Sequence, residues 1–408
     1  MVDRVLTPRR RLGALPAALR PWWVQVLVVF AASRVVTTAL MLWAADAQAA
    51  TSRAAASPGY FDFASQWDGQ WYWLIALSGY PAELPLGPEG HVGENAWAFM
   101  PGYPVVVRLL MELTGAPFGV VGVAVSVAFA AATSLVLYRL FVRMMPHATA
   151  LFAVVLFCVA PLSPLLQIAY AESMNAFLLA LALLLLVDRR YLLLVPVVTV
   201  MALTRPSGLA FALALLLHLV WRWWRRADEP FPPRQIAAVI ALGLFTAVLG
   251  FGWLLTAGLV TGVPTAYLDT ELAWRAGYVG YGELVPFAGW IEGALWWAGF
   301  WDVPPALLLV LLVLVVVAFG VLLASRSARR LAPELRFWSA SYALYLLAVF
   351  FPQSSTVRLL MPLFPLVGAL AQPRSRLYRV VLAAAGILGQ WLWLRWFWQI
   401  TANDWTPP

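Results

Sequence analysis

The chain has 408 residues, 63% of them hydrophobic and only 11% charged, with a mean hydropathy of +0.81. A water-soluble core cannot hide that much apolar surface, so the solvent must be lipid. The net charge of +8 comes with no basic–aromatic RNA motif, which argues for membrane topology and against nucleic-acid binding.

Lipid leaves no water for a bare backbone, so the expected fold class is all-α, a polytopic integral membrane protein. Taking roughly 17–25 apolar residues per crossing, hydropathy and breaks predict about eleven transmembrane helices. They fall near 22–45, 116–140, 148–163, 169–187, 191–204, 207–221, 236–260, 303–324, 336–351, 357–372 and 377–398. Pro161, Pro164, Pro196 and Pro206 interrupt the shorter stretches, which leaves some of them bent or re-entrant.

Arginine sets the orientation, because lysine is absent and 20 of 27 arginines fall on one side. Among them are Arg4, Arg9, Arg10, Arg11, Arg20, Arg139, Arg143, Arg189, Arg190, Arg234, Arg330 and Arg379. That side is expected to be cytoplasmic. Most of the 19 acidic residues fall opposite. The N-terminus is then inside and the C-terminus outside. The first segment is too long, and lacks the small-residue site, for an ordinary cleaved signal. Cys158, the single cysteine, lies in an apolar run and excludes a disulfide framework or thiolate metal site. Arginine without lysine, with abundant Ala, Leu and Val, suggests a GC-rich bacterial genome.

Two long outer loops are expected, at 46–115 and 261–302, and no solenoid repeat is visible. The stretch "RWWRRADEPFPPRQ" at 222–235 reads as a cytoplasmic loop. It divides an N-terminal module, 1–221, from a C-terminal module, 236–408.

The first outer loop carries "QWDGQWYWLIALSGYP" and, later, "HVGENAWAFMPGYPVVVRLL". A helix over 67–78 puts Asp68 and Tyr72 on one face and Trp67, Trp71 and Leu74 on an adjacent one. Gly79 suits its C-cap and Pro81 stops the chain. Such a helix lies in the interface, with Asp68 at the water–lipid boundary as a candidate general base. The competing reading is an aromatic belt that anchors a loop, with Asp68 a solvated N-cap.

Further charges fall on the same face. Glu172 begins the fourth span beside Tyr170 and Asn175. Arg205-Pro206 marks an outer break, Arg358 follows a polar break, and Arg34 lies inside the first span. Each alone is better explained by a structural ion pair or snorkelling; together they point to a cavity. Arginine's fork suits phosphate, and a carboxylate beside it suits a base. Transfer from a lipid-phosphate donor needs that pair. Arg205 and Arg358 are the candidate phosphate ligands, and Trp67, Trp71, Tyr72, Trp97 and Tyr103 candidate sugar-stacking rings. Glu172, Asp62, Arg34 and His91 complete the candidate substrate-binding set. HExxH, Walker, GxSxG, GxGxxG and DxD patterns are absent, and no cofactor or metal site is expected.

"SR" in the first span, "WDGQWYWLIALSGYP", "WAFMPGYPVVVRLL", "AYAES" and "TRPSG" occur in the order seen in one family. Over residues 33 to about 210 the chain resembles the PIG-V family, the second mannosyltransferase of GPI-anchor assembly, and its bacterial homologues. Trp71-Tyr72 and Met100 depart from the residues usual in eukaryotic members. The resemblance implies a GT-C glycosyltransferase fold with Asp68 as the catalytic residue. It implies inverting transfer of mannose from polyprenyl-phosphate mannose to an outer-leaflet glycolipid, such as a phosphatidylinositol mannoside or lipomannan. No obligate protein partner is implied. The rivals are a lipid-linked-sugar flippase, a GT-C enzyme using arabinofuranose, galactose or a protein acceptor, and a non-catalytic scaffold subunit.

Overall fold

The computed structural model describes residues 21–87 and 89–401. Arg4, Arg9, Arg10, Arg11 and Arg20, on which the expected placement of the N-terminus rests, lie outside them, as does the C-terminal stretch from 402.

The described chain is helical throughout, apart from one isolated bridge between Leu86 and Val92. Helix α1 (Trp22–Asp46) leads into a loop holding α2 (Tyr60–Phe63), α3 (Asp68–Ser78) and α4 (Gly102–Thr114). Next come α5 (Phe118–Phe141), α6 (His147–Val159), α7 (Glu172–Val187), α8 (Tyr191–Ala202), α9 (Gly208–Trp224) and α10 (Pro233–Thr261). A second loop holds α11 (Ala266–Val279) and α12 (Ala288–Phe300). The rest is α13 (Pro305–Ala324), α14 (Arg326–Arg329), α15 (Pro333–Val349), α16 (Thr356–Leu359), α17 (Val367–Leu370) and α18 (Arg376–Trp393).

Punctuation in the sequence explains these bounds. Pro117, Pro146, Pro233, Pro305 and Pro333 stand at or just before first turns, where a missing N–H leaves no bond unmade. Gly79, Gly115 and Gly262 close α3, α4 and α10 with φ of 74°, 69° and 71°, which a side chain would strain. Ten of the eleven predicted apolar segments coincide with helices. The segment 357–372 does not form one. It is α16, a tight turn over Met361–Leu366 and α17, because Pro362 and Pro365 remove two backbone donors. Pro196 does not break α8, which runs through it.

Five segments are long and apolar enough to cross a membrane: α1, α5, α10, α13 and Arg376–Trp398. Helix α13 buries none of its residues, and Leu307, Val310, Leu314, Val317 and Val321 are all exposed. So bare an apolar helix is at rest only in hydrocarbon, and the protein is membrane-embedded. Inside, α7 is buried along most of its length and packs on α5. Helix α9 packs on both α10 and α15, so one apolar core runs from Val26 to Trp398 across the loop at 222–235.

Basic helix ends gather at one end of the bundle. Arg143 pairs with Asp188 and Arg189 with Glu229, Arg139 lies over Trp22 and Arg379 over Phe152. The other end carries the two long loops.

Candidate active site

Under those loops lies a cavity of about 490 Å³, lined from both halves of the chain. That is within the range of small-molecule sites. Two carboxylates enter it from helix N-termini. Asp68 is the first residue of α3 and Glu172 the first of α7. An anionic side chain is favoured at that end of a helix dipole. Two arginines meet them from short breaks. Arg205 sits between α8 and α9, where Pro206 stops the helix, and Arg358 sits in α16.

The four side chains form one chain of ion pairs. Arg358 Nη1 donates to Asp68 Oδ2 at 2.5 Å, and its Nε lies 3.6 Å from Glu172 Oε1. Arg205 Nη2 donates to the same Glu172 oxygen. Asp68, Glu172 and Arg358 are each less than 10% exposed. Charges so buried persist only when paired, and here two of each sign balance. The pairing is incomplete. Glu172 Oε2, Arg358 Nε and Asn175 Oδ1 are buried without a hydrogen-bond partner among the described residues. Orphaned polar atoms beside an open cavity mark a site finished by a ligand.

Tyr170 underlies the cluster. Its hydroxyl accepts from the Asp68 backbone N–H at 2.9 Å and donates to the Gln66 carbonyl. Its ring lies 5.3 Å beneath the Arg358 guanidinium. Trp67, just before Asp68, holds φ 57° and ψ −123°, a left-handed conformation that costs a bulky residue about 1–3 kcal/mol. Its indole N–H donates to the Trp398 carbonyl at 2.8 Å, which ties the turn to the far end of the chain. Asp68 is thus a buried first-turn residue, not a solvated N-cap.

The remaining predicted residues lie elsewhere. Tyr72 and Tyr103 are fully buried in a ring cluster with Phe99, and Tyr103 donates to the Gly122 carbonyl. Trp97 is buried against Tyr80 and Trp253, its N–H on the Pro81 carbonyl. Tyr72, Tyr103 and Trp97 do not line the cavity, nor do Trp67 and Trp71, although Trp71 braces Phe99 and Trp274, which do. Asp62 is exposed, and His91 stacks on Tyr281 with ring centroids 4.1 Å apart. Arg34 faces α6 instead. Its Nη2 donates to the Cys158 carbonyl and its Nη1 to the Ser163 carbonyl and Gln167 Oε1, at 2.8, 2.8 and 3.0 Å. It caps the helix end that Pro161 leaves open.

Sequence reasoning missed the wall built by the second loop. Tyr267, Glu271, Trp274 and Arg275 of α11 all line the cavity, with Tyr342 and Tyr345 of α15. Burial pushes the Glu271 carboxyl up, while Tyr267, Arg275 and Arg205 pull it back. Burial likewise pulls the Arg275 guanidinium down, against Glu271 and Glu292. The available signal was spacing. Residues 267, 271, 274 and 275 fall at i, i+4, i+7 and i+8, one face of a helix.

The rest of the lining is apolar, including Leu209, Phe251, Leu254, Leu268, Leu284 and Val285. A site with a charged floor and greasy flanks suits a molecule with an anionic head and a hydrocarbon tail. Among known proteins, the sequence matches no family model and no curated relative.

Proposed function

We propose that this protein is a GT-C-type inverting glycosyltransferase, its shorter helices completing a bundle of about eleven crossings. It moves mannose from polyprenyl-phosphate mannose to an outer-leaflet glycolipid, with the cavity on the extracytoplasmic face. One observation carries the reading: Asp68, Arg358, Glu172 and Arg205 form a buried, incompletely satisfied ion-pair chain on the wall of a 490 Å³ cavity with apolar flanks. The choice of mannose and of the glycolipid acceptor rests on the PIG-V resemblance.

Each group has a task in such a transfer. The donor phosphate sits at Arg358 and Arg205, whose forks fit its oxygens. Arg358 now serves Asp68. A phosphate that draws it away frees Asp68 Oδ2, so the base becomes competent when the donor is bound. Asp68 takes the proton of an acceptor hydroxyl. The acceptor oxygen forms its bond to the anomeric carbon as the carbon–phosphate-oxygen bond breaks on the opposite face. The phosphate leaves with the electron pair, and the arginines stabilise it. One displacement inverts the anomeric centre and needs no covalent intermediate.

The test is transfer of radiolabelled mannose from synthetic polyprenyl-phosphate mannose to a membrane lipid extract by purified protein. Wild type labels a glycolipid and Asp68→Asn does not. Equal labelling by both would remove Asp68 from the chemistry. No labelling from any polyprenyl-phosphate sugar would favour a flippase.

A further inference from the structure

Helix α11 presents one stripe to the cavity that the proposed displacement does not use. Tyr267, Glu271 and Trp274 stand on it. The Tyr267 hydroxyl lies close enough to the Glu271 carboxyl to favour its charged form. The Trp274 indole N–H is buried and has no partner among the described residues. Its ring is held edge-on by Trp71 and Phe99, with centroids 5.7 and 5.8 Å away. A fixed, buried indole N–H with no acceptor among the described residues, beside a half-buried carboxyl, is a costly arrangement in an apolar wall unless something completes it.

The chemistry of that something is narrow. A phosphate has no place beside Glu271, and the Arg205–Arg358 wall serves it better. A hydrocarbon tail satisfies neither the indole N–H nor the carboxyl. A pyranose satisfies both: its C–H face covers the indole, a hydroxyl oxygen accepts from the N–H, and vicinal hydroxyls donate to the carboxylate.

We infer that the Tyr267–Glu271–Trp274 face of α11 is a sugar-binding subsite, with Trp274 as its platform and Glu271 as its hydroxyl acceptor. The inference rests on the glycosyl-transfer reading only for whose sugar sits there, the donor's or the acceptor's.

The experiment uses the full chain in a non-glycosidic detergent, with octyl α-D-mannopyranoside as the probe. Wild type, Glu271→Gln, Trp274→Phe and Trp274→Ala are compared by saturation-transfer NMR, and by KM for donor and for probe in the transfer assay. Trp274→Phe keeps an aromatic ring but has no N–H, so it guards against misfolding of the alanine variant. An acceptor subsite raises the probe's KM and weakens its binding about tenfold in Glu271→Gln, the scale of one charge-assisted hydrogen bond, with a smaller change in kcat. A donor subsite raises the donor's KM instead. Variants that keep wild-type binding and both wild-type KM values overturn the subsite while leaving transfer intact. If wild type transfers from no donor yet loses probe binding in the Trp274 variants, the transfer reading falls and the sugar subsite stands.

Discussion

Asp68 and Arg358 stand 290 residues apart in the chain and meet at 2.5 Å in a buried ion pair. The contact joins the first loop to the short helix after α15, so the site exists only when both halves pack. It also separates two roles that one residue could carry. Asp68→Asn keeps the shape and some hydrogen bonding but removes the proposed base, and on that proposal transfer falls about 10²–10⁴-fold. Asp68→Ala leaves Arg358 leaning on Glu172 alone and costs up to about 3–5 kcal/mol besides. Thermal unfolding in detergent, run beside the transfer assay, distinguishes the two. An asparagine variant with full activity would return Asp68 to a structural role.

Arg205 and Glu172 make the second test. Their side chains are 17% and 6% exposed, so removing Glu172 strands Arg205, while removing Arg205 leaves Glu172 only the 3.6 Å approach of Arg358. Glu172→Gln loses about 3–5 kcal/mol and Arg205→Gln less, because Arg358 still faces Glu172. The double variant recovers much of that, because two neutral amides can bond to each other. On the proposed mechanism activity does not recover, since the proposed phosphate ligand Arg205 is gone. A double-mutant cycle read by unfolding midpoint and by transfer rate measures both quantities on the same four proteins. Recovery of activity with stability would make the pair scaffolding only.

What the sequence disclosed, and what it hid, follows from the range of each interaction. Helix existence depends on local hydropathy and on proline and glycine punctuation, so α1, α5 and α10 were legible nearly to their ends. So was the Gly79 stop of α3. The convergence of Asp68, Glu172, Arg205 and Arg358 was legible as charges sharing one rim, but their pairing was not, because it joins residues 33 to 290 positions apart through tertiary packing. The aromatic residues misled. Near an interface, rings that stack on sugar and rings that fill a loop have the same spacing, and Tyr72, Trp97 and Tyr103 turned out to be filling. Arg34 shows the same limit. A charge in a span must find acceptors, but nothing local says whether they belong to a ligand or, as here, to the open end of α6.

Arg34 therefore predicts a loss of stability rather than of chemistry. Arg34→Met orphans the Cys158 and Ser163 carbonyls and Gln167 Oε1, at about 1–3 kcal/mol for each buried acceptor left without a donor. The unfolding midpoint drops, while the donor KM of the protein that remains folded stays near wild type. A selective rise in donor KM would instead place Arg34 in the donor site.

Two glycines from the opening motifs differ in what they do. The Gly102 N–H donates to the Leu203 carbonyl at 2.7 Å, and a Cβ there would sit 2.7 Å from Thr204 Oγ1 and 2.8 Å from that carbonyl. The backbone it would push carries Arg205. Gly102→Ala then costs about 1–3 kcal/mol as an overpacked contact, and transfer falls with it. A Cβ on Gly69 meets nothing closer than 3.6 Å. Gly69→Ala, inside α3, is neutral or stabilising by about 0.5–1 kcal/mol. Unfolding midpoints of the two variants check the contrast, and equal losses would refute this reading of the "FMPGYP" stretch.

Glu271 gives the site a pH dependence whose sign follows from burial. Burial raises its carboxyl above the ordinary glutamate value, against the pull of Tyr267, Arg275 and Arg205, and Tyr345 of α15 also faces it. The folded chain thus holds this proton more tightly than the unfolded chain does. Protonated Glu271 adds stability that is fully present below the unfolded value and is lost as pH rises through the raised one. Sugar binding runs the opposite way, because only the carboxylate accepts hydroxyls with both oxygens. KM for the sugar that occupies the α11 face therefore rises as pH falls through the raised value, at a less acidic pH than an ordinary glutamate would give. Glu271→Gln is neutral throughout and flattens that limb. Measuring KM for donor and for octyl α-D-mannopyranoside from about pH 4.5 to 8 in both proteins checks this. An equally steep limb in the glutamine variant assigns the titration to another group.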